Sequence, residues 1–139
     1  MTISIATRFY DVGQIVISVL NADLSQLIEV GENANGRWER YSNGVLKQYQ
    51  HLTRTNIGIT SALGAIFHSN IIWTFPVPFI DATRVVIANA SAQGGTGWAA
   101  ADASAPPSST QSGIRLMDAA SRSGGTAIHI NLLAIGRWK

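Results

Sequence analysis

Residues 36–49 read "GRWERYSNGVLKQY". Bulky and charged side chains alternate on both sides of a Ser-Asn-Gly turn, the period-two signature of a β-hairpin. Two registers are open. A two-residue Asn43-Gly44 loop pairs Ser42 with Val45 and sets Arg40 opposite Lys47. Like charges directly opposite are unfavourable. A three-residue loop, Ser42-Asn43-Gly44, pairs Tyr41 with Val45 and sets Glu39 opposite Lys47. Gly44 then takes the left-handed position of a type I turn with a bulge. The second register is preferred, by a few tenths of a kcal/mol per charge pair together with the turn fit.

Working outward, the pattern stays β. "IIWTF" and "TRVVIANAS" follow, joined by "PVPFIDA", whose two prolines exclude a central strand at that point. "TGWAAADA", "GIRLMDAA" and "TAIHINLLAIGRWK" read as further strands. The loops "SAQGGTG", "SAPPSSTQSG" and "SRSGG" separate them, and the Pro106-Pro107 stretch reads as a surface loop. Short strands with turn signals between them indicate an antiparallel β-sandwich, an all-β fold. Ahead of the hairpin, "QIVISVL" reads as a strand. "NADLSQLIEV" has Asn21 or Asp23 as a cap and Leu24, Leu27 and Ile28 at helical spacing, so a strand then a short helix, or two strands, are both open. "GENANG" marks a soft boundary, giving an N-terminal segment 1–35 and a body 36–139.

Composition agrees with one domain of 139 residues. Charged residues are 13%, about half the usual share. Neutral polar and small residues fill the deficit, which suits a subunit that buries part of its outside rather than a disordered tail. The net charge is +2, and the ten basic residues are scattered without a run, which argues against nucleic acid as a partner. The absence of cysteine excludes disulfides, thiolate metal sites and cysteine nucleophiles. No apolar run approaches the roughly 20 residues of a helical membrane span. "MTISIATRFYDVGQ" lacks the pattern of a signal peptide, and Met1 is either a native start or the start of a cut piece.

No catalytic residues, metal ligands or cofactors are assigned. The acids Asp11, Asp23, Glu29, Glu32, Glu39, Asp81, Asp102 and Asp118 show no spacing that supports an acid/base pair. His51, His68 and His129 are not accompanied by a Gly-x-Ser-x-Gly elbow or a His-Glu-x-x-His motif. "HIN" puts His129 and Asn131 on one strand face, where a hydrogen-bonded histidine is a better reading than a ligand, although in a symmetric assembly such residues could converge on an axis and bind a metal or one another. "GGTG" lacks the lysine and helix of a phosphate loop and reads as a loop. Trp98, just after it, is read two ways, as a sugar-stacking aromatic or as core, and burial is the commoner fate of large aromatics. Trp38, Trp73 and Trp138 read as packed, Trp73 with Phe75, Phe79 and Ile80 plugging one end of the sandwich.

Three stretches together carry a resemblance. "NGRWERYSNGVLKQY", "WTFPVPFIDATRVVIA" and "INLLAIGRWK" resemble, in order, the opening hairpin, the Phe-Pro-x-x-Phe segment and the terminal strand of the C-terminal tip domains of bacteriophage tail fibres, also found in prophages and phage-tail-like bacteriocins. "YQHLTRTNIG" departs from the Trp or Cys and Gly that many relatives place after the hairpin. The resemblance implies a homotrimeric β-sandwich at the distal tip of a virion's tail fibre, acting outside the cell. Its implied task is non-catalytic adhesion to a carbohydrate or protein receptor on a bacterial surface. Residues 1–35 would then form a neck joined to the fibre shaft. The resemblance transfers no site residues. Candidate receptor contacts are loop and hairpin positions prone to exposure: Gln93, Trp98, Asp102, Gln111 and Tyr49. The alternatives are a polysaccharide-degrading or deacetylating tail enzyme fragment, or a purely structural fibre module.

Overall fold

The computed structural model describes residues 26–102 and 108–139. The strand reading of "QIVISVL", the cap at Asn21 or Asp23, Leu24, and the Pro106-Pro107 loop lie outside the described residues. Nine strands are described: β1 (Leu27–Asn33), β2 (Gly36–Tyr41), β3 (Val45–Arg54), β4 (Ser61–Leu63), β5 (Ile66–Thr74), β6 (Val85–Ala92), β7 (Trp98–Ala101), β8 (Gln111–Asp118) and β9 (Ile128–Arg137). They form two antiparallel sheets, ordered β1-β2-β3-β9-β6 and β4-β5-β8-β7. The all-β sandwich expected from the sequence is the fold.

The decisive hairpin adopts the preferred register. Glu39 lies opposite Lys47, and the Gly44 N–H donates to the Tyr41 carbonyl at 3.0 Å. Gly44 has φ +92°, a conformation that side chains resist. Asn43 closes the turn by accepting the Val45 N–H on its side-chain oxygen at 3.0 Å. Asn33 pairs with Gly36 across a second tight turn, so β1 adds an edge strand and the sheet begins ahead of Gly36. Helical spacing at Leu27 and Ile28 gives way to pairing with β2, since cross-strand partners outweigh local periodicity. The three-residue β4, paired to β5, is too short to read in "SAL".

Alternation builds the core. Ile128, Ile130, Leu132 and Ala134 of β9 face inward, while His129 and Asn131 face out. Leu46 from β3, Ala90 and Ala92 from β6, and Ile114 and Leu116 from β8 meet them. Each large aliphatic side chain buried this way is worth about 1.5–3 kcal/mol. One end is closed by aromatics in edge-to-face contact, Trp73–Phe75 at 5.1 Å and Phe75–Phe79 at 5.0 Å between ring centroids. Ile80 does not join this plug; it is 58% exposed. Its N–H is tied to the Arg137 carbonyl at 2.8 Å, which turns the side chain outward.

The Phe-Pro-Val-Pro-Phe segment shows why its prolines alternate. The N–H groups of Phe75 and Phe79 bond to Thr110 and Ser109 carbonyls, and that of Val77 bonds to the Oε1 of Gln48 at 2.9 Å. Pro76 and Pro78 fall where no donor is needed. Gln48 is fully buried, so its side chain serves as a bracket between β3 and this segment. Gly136 of β9 leaves room for the Phe79 ring; a β-carbon there would sit 2.7 Å from it.

Candidate functional site

The outer face of the five-stranded sheet carries an ordered polar network. The β2–β3 and β3–β9 registers align Glu39, Lys47 and Ile135 in one row, and Arg37, Tyr49 and Leu133 in the next. The Glu39 carboxylate accepts the hydroxyl of Tyr41 at 2.8 Å and that of Tyr49 at 3.0 Å. The Lys47 ammonium donates to the Tyr41 hydroxyl at 3.4 Å and lies 4.8 Å from its ring centroid. Arg37 sits 5.8 Å from the Tyr49 ring centroid and 4.0 Å from Glu32. The two tyrosine hydroxyls hold Glu39 below the usual carboxylate range. The same bond raises the phenol of Tyr49, because losing its proton would place an anion beside Glu39.

Beside this network runs an open groove of about 430 Å³, lined by Glu32, Asn33, Ala34, Gly36, Arg37, Tyr49, Gln50 and His51. β1 supplies Glu32 and Asn33, and β3 supplies Tyr49, Gln50 and His51. Gly36 has φ +128°, and a β-carbon would lie 2.4 Å from the Tyr49 carbonyl oxygen, so only glycine lets β2 start this close to β3. A smaller depression of about 290 Å³ lies along Tyr41, Asn43, Val45 and Lys47. An aromatic ring fixed by its hydroxyl, with amides, a carboxylate and a guanidinium around it, presents an apolar face beside donors and acceptors. Those are the groups that bind polyhydroxylated rings. Among the described residues, no three His, Cys, Asp or Glu side chains gather closely enough to hold a metal ion.

The sequence-derived candidates fall in different places. Tyr49 lines the groove. Trp98 lies on the outer face of the other sheet, opposite Met117, and is 38% exposed. Asp102 follows four residues later on the same face, its carboxylate engaged by Arg115 at 3.0 Å. Arg115 also reaches the Asn70 side-chain oxygen at 3.3 Å. Gln93 is exposed in the β6–β7 turn, where its N–H bonds to the Ala127 carbonyl at 2.9 Å. Gln111 opens β8 opposite Thr74, and its carbonyl accepts Arg84 at 2.8 Å. Gln111 lies six positions along β8 from Met117, the partner of Trp98, about 20 Å of strand. The fold thus places Trp98 and Asp102 on one face, with Gln111 two residues along β8 from Gly113, the backbone partner of Asp102, and leaves Tyr49 on the other sheet.

Glu32, Asn33, Arg37, Gln50 and His51 of the groove were missed as candidates. Arg37 and Tyr49 were legible as neighbours once Glu39 was set opposite Lys47, because the pair two residues further along follows from that register. Glu32 and Asn33 were not, because they enter only through the pairing of β1.

No family model matches this chain, and no curated protein matches it. Two solved structures are similar to it. One is a C-terminal fragment of the P. aeruginosa R1 pyocin fiber, at 19% identity and a TM-score of 0.45, covering 78% of this chain and 28% of that one. The other is an N-truncated R1-type pyocin tail fiber, at 18% identity and a TM-score of 0.45, covering 87% of this chain and 94% of that one. The chain therefore spans less than a third of the first fragment and nearly all of the second.

Proposed function

We propose that this chain is the tip module of a phage-type tail fibre, a non-catalytic adhesin that attaches to a glycan or protein receptor on a bacterial surface. The observation that carries the reading is that the three stretches resembling tail-fibre tips form one connected unit. The hairpin strand β3 pairs along its whole length with β9, the terminal strand. Gln48 from the hairpin brackets Val77 of the Phe-Pro segment, and Phe79 of that segment lies against Gly136 of the terminal strand. Residues scattered over the sequence co-occur because each fits the other two.

The groove at Tyr49 is the proposed receptor contact, with a sugar ring against the tyrosine and its hydroxyls toward Glu32, Asn33, Gln50 and Arg37. One shallow, open site binds weakly, and three copies on one fibre gain through effective concentration. A homotrimer follows from that need and from the few charges on the surface. The segment ending in β1 serves as the neck toward the shaft, and the assembled fibre acts outside the cell.

Native mass spectrometry at micromolar concentration is expected to give three chains; a clean monomer opposes the trimer. Pull-down on a panel of whole bacteria and their purified surface glycans is expected to give saturable binding that Tyr49→Ala abolishes. Fragments released from capsule or lipopolysaccharide during incubation would instead establish the depolymerase alternative, and deacetylated glycan the deacetylase.

A further inference from the structure

Two histidines 78 positions apart in sequence meet on the outer face of the five-stranded sheet. The β3–β9 register sets His51 opposite Asn131 and His129 opposite Thr53, so the histidines are diagonal neighbours across two strands. Their rings lie 9° from parallel with centroids 6.5 Å apart, and both residues are exposed. Each ring is held by its Nδ1. His51 Nδ1 is 2.7 Å from the Asn131 Oδ1, and His129 Nδ1 is 3.1 Å from the Thr53 Oγ1.

The contact to Asn131 sets the tautomer of His51. An amide oxygen only accepts, so the neutral His51 carries its hydrogen on Nδ1 and presents a lone pair at Nε2. The Thr53 hydroxyl either donates or accepts, so its contact leaves the same tautomer open to His129. Neither Nε2 has a protein partner among the described residues. A hydrogen-bonded Nδ1–H behind a bare Nε2 is the arrangement that orients histidine as a metal ligand and raises its basicity.

We propose that His51 and His129 form a two-imidazole chelate for a divalent late first-row transition ion such as Zn²⁺ or Ni²⁺. Imidazole suits these ions, whereas Ca²⁺ and Mg²⁺ take oxygen ligands. The β6 strand continues the two rows with Asn89 beside Asn131 and Ser91 beside His129. No lysine or arginine stands in these rows to repel a cation, and the neutral oxygens can hold metal-bound water. Closing the chelate requires the two exposed rings to turn until their Nε2 lone pairs converge. Two protein ligands with water in the remaining positions make an exchangeable site, unlike the four-ligand sites that support folding. His129 alone offers one ligand; its partner within the chain comes from strand pairing, which the spacing of "HIN" does not show.

The test uses untagged protein and ZnCl₂ or NiCl₂, followed by calorimetry and by imidazole ¹H–¹⁵N spectra. Saturable binding of one ion per chain is expected, with the His51 and His129 resonances moving and those of His68, on the other sheet, staying still. His51→Gln and His129→Gln should each weaken binding by roughly tenfold or more, and Asn131→Ala should weaken it less while both histidines remain. Unchanged melting of these variants keeps the reading separate from folding. No shift at millimolar ion, binding indifferent to all three variants, or movement of His68 alone overturns the site. The adhesion reading does not depend on this outcome, because the pull-down proceeds in chelator.

Discussion

The two outer faces of this sandwich are built differently. On the five-stranded sheet, side chains hold one another: Glu39 takes two tyrosine hydroxyls, Lys47 and Arg37 each approach one of the two rings, and the histidines stack. On the four-stranded sheet, Trp98 stands beside Met117, with the Asp102–Arg115 pair two rows along. Its strongest ion pair lies at the margin, where buried Asp118 receives Arg122 at 3.1 and 3.2 Å and the Ala120 N–H at 2.9 Å. The first face holds its rings in fixed positions, which is the preorganisation the proposed receptor contact calls for. The second is anchored at its edge and presents Trp98 in one row with Met117 and His68. Preorganisation rather than exposure therefore singles out Tyr49 over Trp98.

Removing the anchor of the four-stranded side has the largest expected effect. Asp118→Ala leaves Arg122 without its partner at a buried site and should cost about 3 kcal/mol in urea denaturation, by the usual cost of breaking such a pair. Burial raises the Asp118 pKa, but the Arg122 hydrogen bonds and the Ala120 N–H outweigh it, leaving the carboxyl below its ordinary value. A depressed folded-state pKa contributes stability above the unfolded value, and the contribution is lost as pH falls through the folded value. Wild type should therefore lose stability in acid below about pH 4, and Asp118→Ala should show a shallower acid slope. Trp98→Ala comes next, at about 1–2 kcal/mol, because the ring is only partly buried. A loss above about 4 kcal/mol would make Trp98 core and erase the contrast between the faces.

The smallest effect belongs to the network. Glu39→Gln should cost under about 1 kcal/mol, since the residue is only half-buried and the amide oxygen still accepts a tyrosine hydroxyl. Its clearer signature is spectroscopic. With the anion gone, the Tyr49 phenol should titrate nearer its ordinary value in an ultraviolet alkaline titration. An unchanged profile would mean that the Glu39–Tyr49 bond does not order the ring in solution.

The sandwich was legible because alternation and turn chemistry agree at the hairpin, where Glu39 opposite Lys47 fixes the rows of the whole outer face. β1 was open to two readings because Leu24, Leu27 and Ile28 fit a helix locally, and only pairing with β2 decides for a strand. Ile80 misled because an isoleucine beside two buried phenylalanines reads as core until its backbone is tied to Arg137. The groove was half legible. Tyr49 and Arg37 follow from the register, whereas Glu32 and Asn33 arrive with β1. The meeting of His51 with His129 needs β3 beside β9, a long-range pairing that no local spacing encodes.

The adhesion of labelled Tyr49→Ala and Trp98→Ala to receptor-bearing cells, each against wild type and with melting matched, tests the central claim most directly. Loss of binding for Tyr49→Ala with binding kept by Trp98→Ala is the predicted result. Full binding by Tyr49→Ala would contradict the claim that the five-stranded face is where this protein holds its receptor.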